Sequence, residues 1–365
     1  MNKEKKKKDR LYGLDLLRIM AMIVVFMGHS ARQYGCDYSY FMPLILLRST
    51  AMTLFFALSG FVLYYNYSGV NLFNLKMIKN YYIKRVSGIV PTYYFVAVLY
   101  ILFLGKESFI DIVKLFPIEV LGLQTTVTSL FSVSHNGGTW FVSCLLLSYF
   151  FYPYMQELLK SLTLKIKIGF LILIGGGLTY MPFLVSWYGL ASIYENPFYR
   201  GCEFILGILA AGIVLECRKN FQEEGSANKK KNLLGAAMFL IPMVLFLVLL
   251  YKNIIILDRQ GYEVLCYPLI CSMIIGGGII NLNWIDNIKS VKTFIGYFSG
   301  IAYEFFLAQF FTWKISGYVL TGLQIDRNLF RIVFSFLICL ITATILHYLF
   351  TRPISNIIKN NFIKN

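Results

Sequence analysis

The sequence predicts an all-α protein, a polytopic transmembrane bundle of about ten spans with both termini cytoplasmic. Three observations predict it. Of 365 residues, 58% are hydrophobic and only 14% charged, with a mean hydropathy of +0.64. A soluble domain carries about 25% charged residues, so this chain has too little polar surface to cover a globule in water. Apolar runs of roughly 20 residues, long enough to cross a bilayer, recur from end to end. The lysines and arginines fall in short connections on alternate sides of those runs, as the positive-inside rule requires. That distribution accounts for the net charge of +16. With no continuous basic patch on a polar domain, it argues against nucleic-acid binding.

Residues 1–13 form a basic cytoplasmic segment whose "KEKKKKDR" run, Lys3 to Arg10, suits anionic lipid. The apolar stretch after it is interrupted by Arg18 and followed by many more, so it reads as an uncleaved first span rather than a signal peptide. Spans are expected near 14–33, 43–66, 87–104, 139–158, 168–188, 198–216, 233–251, 262–282, 293–314 and 328–350. With the N-terminus inside, the even-numbered connections should be basic. They hold Lys76, Lys79, Lys84 and Arg85; Lys160, Lys165 and Lys167; Arg218, Lys219 and Lys229 to Lys231; and Lys289 and Lys292. Arg352 and Lys359 belong to a basic cytoplasmic tail, 352–365, behind an integral-membrane domain of 14–351.

One apolar segment, 109–131, tests this topology, because a further crossing there would move every later basic connection outside. It contains Asp111, Lys114, Pro117 and Glu119, which a free-standing span rarely holds. It is therefore expected as an outer re-entrant or interfacial segment covered by protein. No internal repeat stands out, so an inverted-repeat transporter gains no support. Seven scattered cysteines without a CxxC pair fit neither a zinc site nor a disulfide framework. The three histidines, His29, His135 and His347, show no metal-ligand spacing, and no metal is expected.

Several residues do not belong in lipid. On a helix turning 100° per residue, Asp15, Arg18, Met22, Val25 and His29 share one stripe, with Arg32 close to it. A charge at the centre of a span costs about 2.5–3.5 kcal/mol on the lenient insertion scale, so this face must look into protein or water. Asp15 and Arg18 can also pair near the cytoplasmic end and snorkel. Arg48 shares a face with Phe55 and Ser59, and Arg200 and Glu203 stand one turn apart. Gly207 and Ala211 continue that last face and allow a close helix approach. Glu304 lies mid-span, and "SHNGGTWF" places His135, Asn136 and Trp140 at the outer mouth of the fourth span. By depth alone these residues outline a polar path, basic at both ends.

Acyl transfer from coenzyme A to a hydroxyl fits such a path. The hydroxyl needs a general base as it attacks a thioester, and a histidine has a suitable resting pKa. The oxyanion needs donors, which an arginine or the Trp140 indole can supply, and the donor's phosphates need cations at the cytoplasmic end. The catalytic candidates are His29, Arg18, Trp140 and Glu203. Arg18, Lys84 and Arg85 are expected to hold acetyl-CoA or another acyl-CoA, and Arg32, Arg48, His135, Asn136, Arg200 and Glu304 to line the acceptor path. A transporter or flippase for a glycolipid or anionic metabolite is the alternative from a different class, and a membrane sensor with a vestigial site a third.

The same residues carry a resemblance. "LDLLRIMAMIVVFMGH", "LFFALSGFVL", "KRVSGIVPTYYF", "TWFVSCLLLSYFFYP", "YRGCEFILGILAAG" and "GYFSGIAYEFFLAQF", in this order and spacing, are similar to successive spans of the acyltransferase-3 family of integral-membrane acyltransferases. The resemblance covers nearly the whole chain. It implies O-acylation, commonly O-acetylation, of an extracytoplasmic or lipid-linked carbohydrate at the plasma membrane, with His29 as essential base and Arg18 assisting. Three departures accompany it. Gly88 stands where the family often has a second arginine, and Gln309 where many members have a histidine. "WFVSCLLL" lacks the glutamate of members that modify peptidoglycan. The last points to single-domain members acting on capsule, exopolysaccharide or lipid-linked sugars.

Overall fold

The structure, a computed structural model, describes residues 9–46, 48–103, 109–126, 139–189, 193–223, 228–252 and 266–363, and these are helical with no strand among them. The helices are α1 (Tyr12–Tyr34), α2 (Met42–Leu46), α3 (Arg48–Tyr67), α4 (Leu75–Phe103), α5 (Phe109–Val120), α6 (Thr139–Lys160) and α7 (Leu164–Tyr188). They continue with α8 (Pro197–Glu223), α9 (Asn228–Tyr251), α10 (Cys266–Ile279), α11 (Lys289–Gly300), α12 (Ala302–Gly322), α13 (Asn328–Ile345) and α14 (Arg352–Phe362), with a π-turn, Leu346–Thr351, between the last two. Local chemistry sets several ends. Asn74 caps α4 by accepting from the backbone of Lys76 and Met77, and Gly35 closes α1 at φ +69°, a left-handed conformation that glycine adopts without strain.

Among the described residues, six helical segments are long and apolar enough to cross a membrane, or up to eight if each of two bent pairs is one span. Two differences separate this from the ten expected. α6 is long enough, but Tyr149, Tyr152, Tyr154 and Gln156 make it too polar to qualify by composition. α10 has 14 residues, about 21 Å of helix against a hydrocarbon core of about 30 Å, and the residues before it, 253–265, lie outside those described. The bends were not expected either: α2 meets α3 at 47°, and α11 meets α12 at 59°. The segment expected to be interfacial is described as far as Thr126. Within it α5, 12 residues long, is too short to span.

Inter-element contacts gather the basic connections at one end of the bundle. The Tyr12 hydroxyl donates to Asp286 at 2.6 Å, Gln156 donates to the carbonyls of Tyr67 and Val70, and Arg218 donates to the carbonyl of Gly278. The Tyr12 hydrogen bond, with help from Lys292, holds the Asp286 carboxyl below its ordinary range. Around the bundle, α7, α9 and α13 turn Ile172, Leu173, Ile241, Val244 and Ile341 outward, an apolar belt too extensive for a surface facing water.

Helices α3 and α8 form the tightest crossing. A Cβ on Gly207 would stand 1.8 Å from the carbonyl oxygen of Ala57, and one on Gly60 would stand 2.0 Å from that of Phe204. Only glycine permits this approach. In lipid, where hydrophobic burial gives no net drive between helices, such contact supplies the van der Waals energy that holds them together. The small face expected at Gly207 and Ala211 is thus the packing face.

Candidate functional site

A cavity of 380 Å³ enters the bundle at its basic end. It runs from exposed Arg352 and Asn356 on α14 to buried Phe141 and Phe306 on α6 and α12. Backbone irregularities shape it. The 59° break before α12 turns Tyr303 and Glu304 into the space, and the π-turn brings His347 opposite them. Within the π-turn the Thr351 hydroxyl donates to the Leu346 carbonyl at 3.0 Å. Arg18 comes from α1, Ser59 from α3 and Tyr149 from α6.

The cavity is basic at its mouth and carries a single carboxylate among its described lining. Arg18, Arg352 and Lys359 face it. Asp15 accepts from Arg10 at 2.7 Å and only distantly from Arg18 at 3.5 Å, so most of the Arg18 guanidinium remains available to the cavity. Arg85 lies over the Tyr67 ring and beside Tyr149 and Lys359, with its Nε lacking a hydrogen-bond partner among the described residues, and Lys84 is exposed next to it. Neither lines the cavity; both flank its mouth. Glu304, 2% exposed, accepts a hydrogen bond on Oε1 from His347 Nδ1 at 3.0 Å.

Phe55, Phe141 and Phe306 close the inner end, with ring centroids 6.2 and 5.2 Å apart in sequence. Behind Phe306 sits His29. Its ring lies 6.2 Å from Phe306, 5.3 Å from Phe310 and 6.1 Å from Trp313, and it does not line the cavity. Nδ1 stands 3.1 Å from Gln309 Oε1. An amide oxygen only accepts, so Nδ1 carries the proton and Nε2 keeps the basic lone pair. The Arg48 side chain crosses Gly28, with its Cβ 2.9 Å from where a Gly28 Cβ would be, and Arg32 is exposed one turn beyond His29. His29, Arg32 and Arg48 therefore gather towards the end opposite the cavity mouth.

A third cluster is sealed. Arg200 and Glu203, both 0% exposed, pair at 2.8 Å, and Glu203 also accepts from Thr53 on α3 at 2.7 Å and Tyr267 on α10 at 2.9 Å. Arg200 donates to the Tyr194 carbonyl at 2.8 Å, and its guanidinium lies 5.2 Å from the Trp140 ring and 5.5 Å from Phe56. Trp140, Arg200 and Glu203 are together, as their depth implied, but in the α3–α8–α10 core. They line neither the cavity nor the surroundings of His29. His135 and Asn136 lie outside the described residues.

Sequence reasoning missed His347, Tyr149 and the part Arg352 and Lys359 play at the mouth. Glu304 and His347 are 43 residues apart, a separation with no local pattern. The available signal was an ionisable group inside each of two late apolar runs.

A family model described as an acyltransferase domain matches residues 11–349. No curated protein and no solved structure matches the chain.

Proposed function

The chain belongs to the acyltransferase-3 family, and from that premise we propose that this multi-pass membrane acyltransferase moves an acyl group, acetyl foremost, from acyl-CoA to a hydroxyl of an extracytoplasmic or lipid-linked carbohydrate. One observation carries the reading: a cation-lined cavity ends one aromatic ring short of a histidine whose second nitrogen has no hydrogen-bond partner among the described residues. At 380 Å³ it is at the lower end of the range of about 300–1,000 Å³ for small-molecule sites, room for an acyl-bearing thiol arm rather than a whole nucleotide. Arg18, Arg352 and Lys359, flanked by Lys84 and Arg85, offer charge to phosphates at the mouth.

In this reading the arm extends inward and brings its thioester to the Phe141–Phe306 wall. Rotation of the Phe306 side chain opens the wall towards His29. The acceptor approaches from the His29 side, past Arg32 and Arg48. His29 Nε2 takes the hydroxyl proton while the oxygen attacks the acyl carbon, and the Gln309 amide holds the imidazole in the tautomer that leaves Nε2 free. With acyl-CoA on the cytoplasmic side, the basic end faces the cytoplasm of a plasma-membrane protein, in keeping with the positive-inside rule.

The test is chemical. Full-length protein in vesicles is given acetyl-CoA at the basic end, and surface polysaccharide from cells with and without the chain is compared by mass spectrometry. An acetyl-ester mass difference dependent on the chain is expected. Protein that moves glycan or glycolipid across the vesicle without forming an ester would establish transport instead.

A further inference from the structure

The cavity is lined by one imidazole, that of His347, which the reaction just described leaves unused. Glu304 is in the first turn of α12, where the helix dipole favours a negative charge, and Arg18, Arg352 and Lys359 surround it with positive charge. A carboxylate oxygen is an acceptor. His347 therefore donates from Nδ1 to Oε1 at 3.0 Å, and Nε2 is its second proton site. Oε2 of Glu304 has no hydrogen-bond partner among the described residues, although the side chain is nine-tenths buried and lines the cavity. A clamp between α12 and the π-turn would need neither a cavity-lining imidazole nor a carboxylate oxygen left unsatisfied.

Acyl transfer from a thioester poses two proton problems at different atoms. The attacking hydroxyl must lose a proton, and the departing sulfur, the anion of a weakly acidic alkyl thiol, must gain one. His29 lies on the far side of Phe306 and suits the first. The second arises inside the cavity, where His347 is.

We propose that Glu304 and His347 form the proton-donating pair for the leaving thiolate, His347 as the catalytic acid and Glu304 as its positioning residue. This rests on the acyl-transfer reading above. As the acceptor oxygen bonds to the acyl carbon, the C–S bond breaks with its electron pair going to sulfur. His347, entering as imidazolium, gives the Nε2 proton to that sulfur and becomes neutral. The acceptor's proton passes to His29 Nε2. Water at the basic end reprotonates His347, and His29 releases its proton to water, so the cycle closes with ester and free thiol as products.

The experiment compares two acetyl thioesters lacking the nucleotide: acetyl-pantetheine, whose alkyl thiolate needs a proton, and acetyl-thionitrobenzoate, whose acidic thiol leaves without one. Full-length protein in vesicles is assayed for ester formation on the acceptor glycan. His347→Asn is expected to lower kcat/KM for acetyl-pantetheine by about 100-fold, the size of general acid catalysis, and to leave acetyl-thionitrobenzoate within about 5-fold of wild type. Glu304→Gln keeps the shape of the pair and should cost about 10-fold with the alkyl thioester. It should leave acetyl-thionitrobenzoate close to wild type, since a positioning role matters only where the leaving sulfur needs a proton.

Facing the pair are Arg18 from α1, Tyr149 from α6, Tyr303 on α12, and Arg352 and Lys359 from α14, with Lys84 and Arg85 on α4 beside Lys359. The variants leave all of them in place. An equal fall with both donors, in His347→Asn or in Glu304→Gln, overturns the pair's role while leaving acyl transfer intact. Wild-type protein that esterifies with neither donor nor with acetyl-CoA overturns the acyl-transfer reading, and the pair with it.

Discussion

His29 and Gln309 share one hydrogen bond, Nδ1 to Oε1 at 3.1 Å, and the Gln309 Nε2 beside it is buried without a partner among the described residues. The amide thus sets a tautomer without contributing charge. His29→Ala is expected to lower ester formation by about 10²- to 10⁴-fold, the range for loss of a general base, in protein that still inserts. Gln309→Leu removes the acceptor that fixes the imidazole and is expected to lower kcat by about 10-fold with KM for the donor unchanged. An unchanged kcat would show that this hydrogen bond does not orient the base.

Phe306 separates the cavity from His29. Phe306→Ala is expected to open the cavity as far as His29 and admit water, so acetyl-CoA should be hydrolysed without any acceptor. Free thiol appearing faster than ester reports this directly. Hydrolysis no faster than in wild type would show that the barrier lies elsewhere.

Glu203 neutralises Arg200 where neither touches solvent. Removing one partner of a buried pair strands the other charge, at a cost of about 3–5 kcal/mol. Glu203→Leu should therefore lower the thermal midpoint in detergent and the yield of folded protein. The specific activity of what does fold should fall little. A large loss of specific activity at unchanged stability would return the pair to the reaction.

Gly207 and Gly176 differ in surroundings alone. A methyl at Gly207 meets the Ala57 carbonyl at 1.8 Å, whereas one at Gly176 on α7 meets nothing within 4 Å. Gly207→Ala is expected to force α3 and α8 apart and reduce folded yield sharply. Gly176→Ala should be neutral or stabilising by roughly 0.5–1 kcal/mol from backbone entropy. Parallel thermal unfolding of the two variants makes the comparison.

The legible part of this fold is what periodicity and lipid exclusion determine. Arg18 and His29 fall on one stripe of α1, and both look inward, to the cavity and to the Gln309–Trp313 cluster. Arg200, Glu203, Gly207 and Ala211 read as one face, and they are buried together against neighbouring helices. Depth, however, is one coordinate. It put Arg200 and His29 in one layer but could not say that one would be sealed into the α3–α8–α10 core while the other packed on α12. The bend at Ile301 and the π-turn around His347 depend on how α12 and α13 meet, and neither stretch carries a local signal for that meeting. The Glu304–His347 pair, which exists because of those two irregularities, was unreadable for the same reason.

The Phe55–Phe141–Phe306 wall has a consequence for the cell. A cavity that reaches deep into a membrane bundle from one end is a short step from a leak, because an ion admitted at its mouth needs only a hydrated way onward. Three packed rings with no hydrogen-bonding group among them make poor footing for a hydrated ion. A membrane acyltransferase with such a wall can keep a cavity open at one end and remain an electrical insulator.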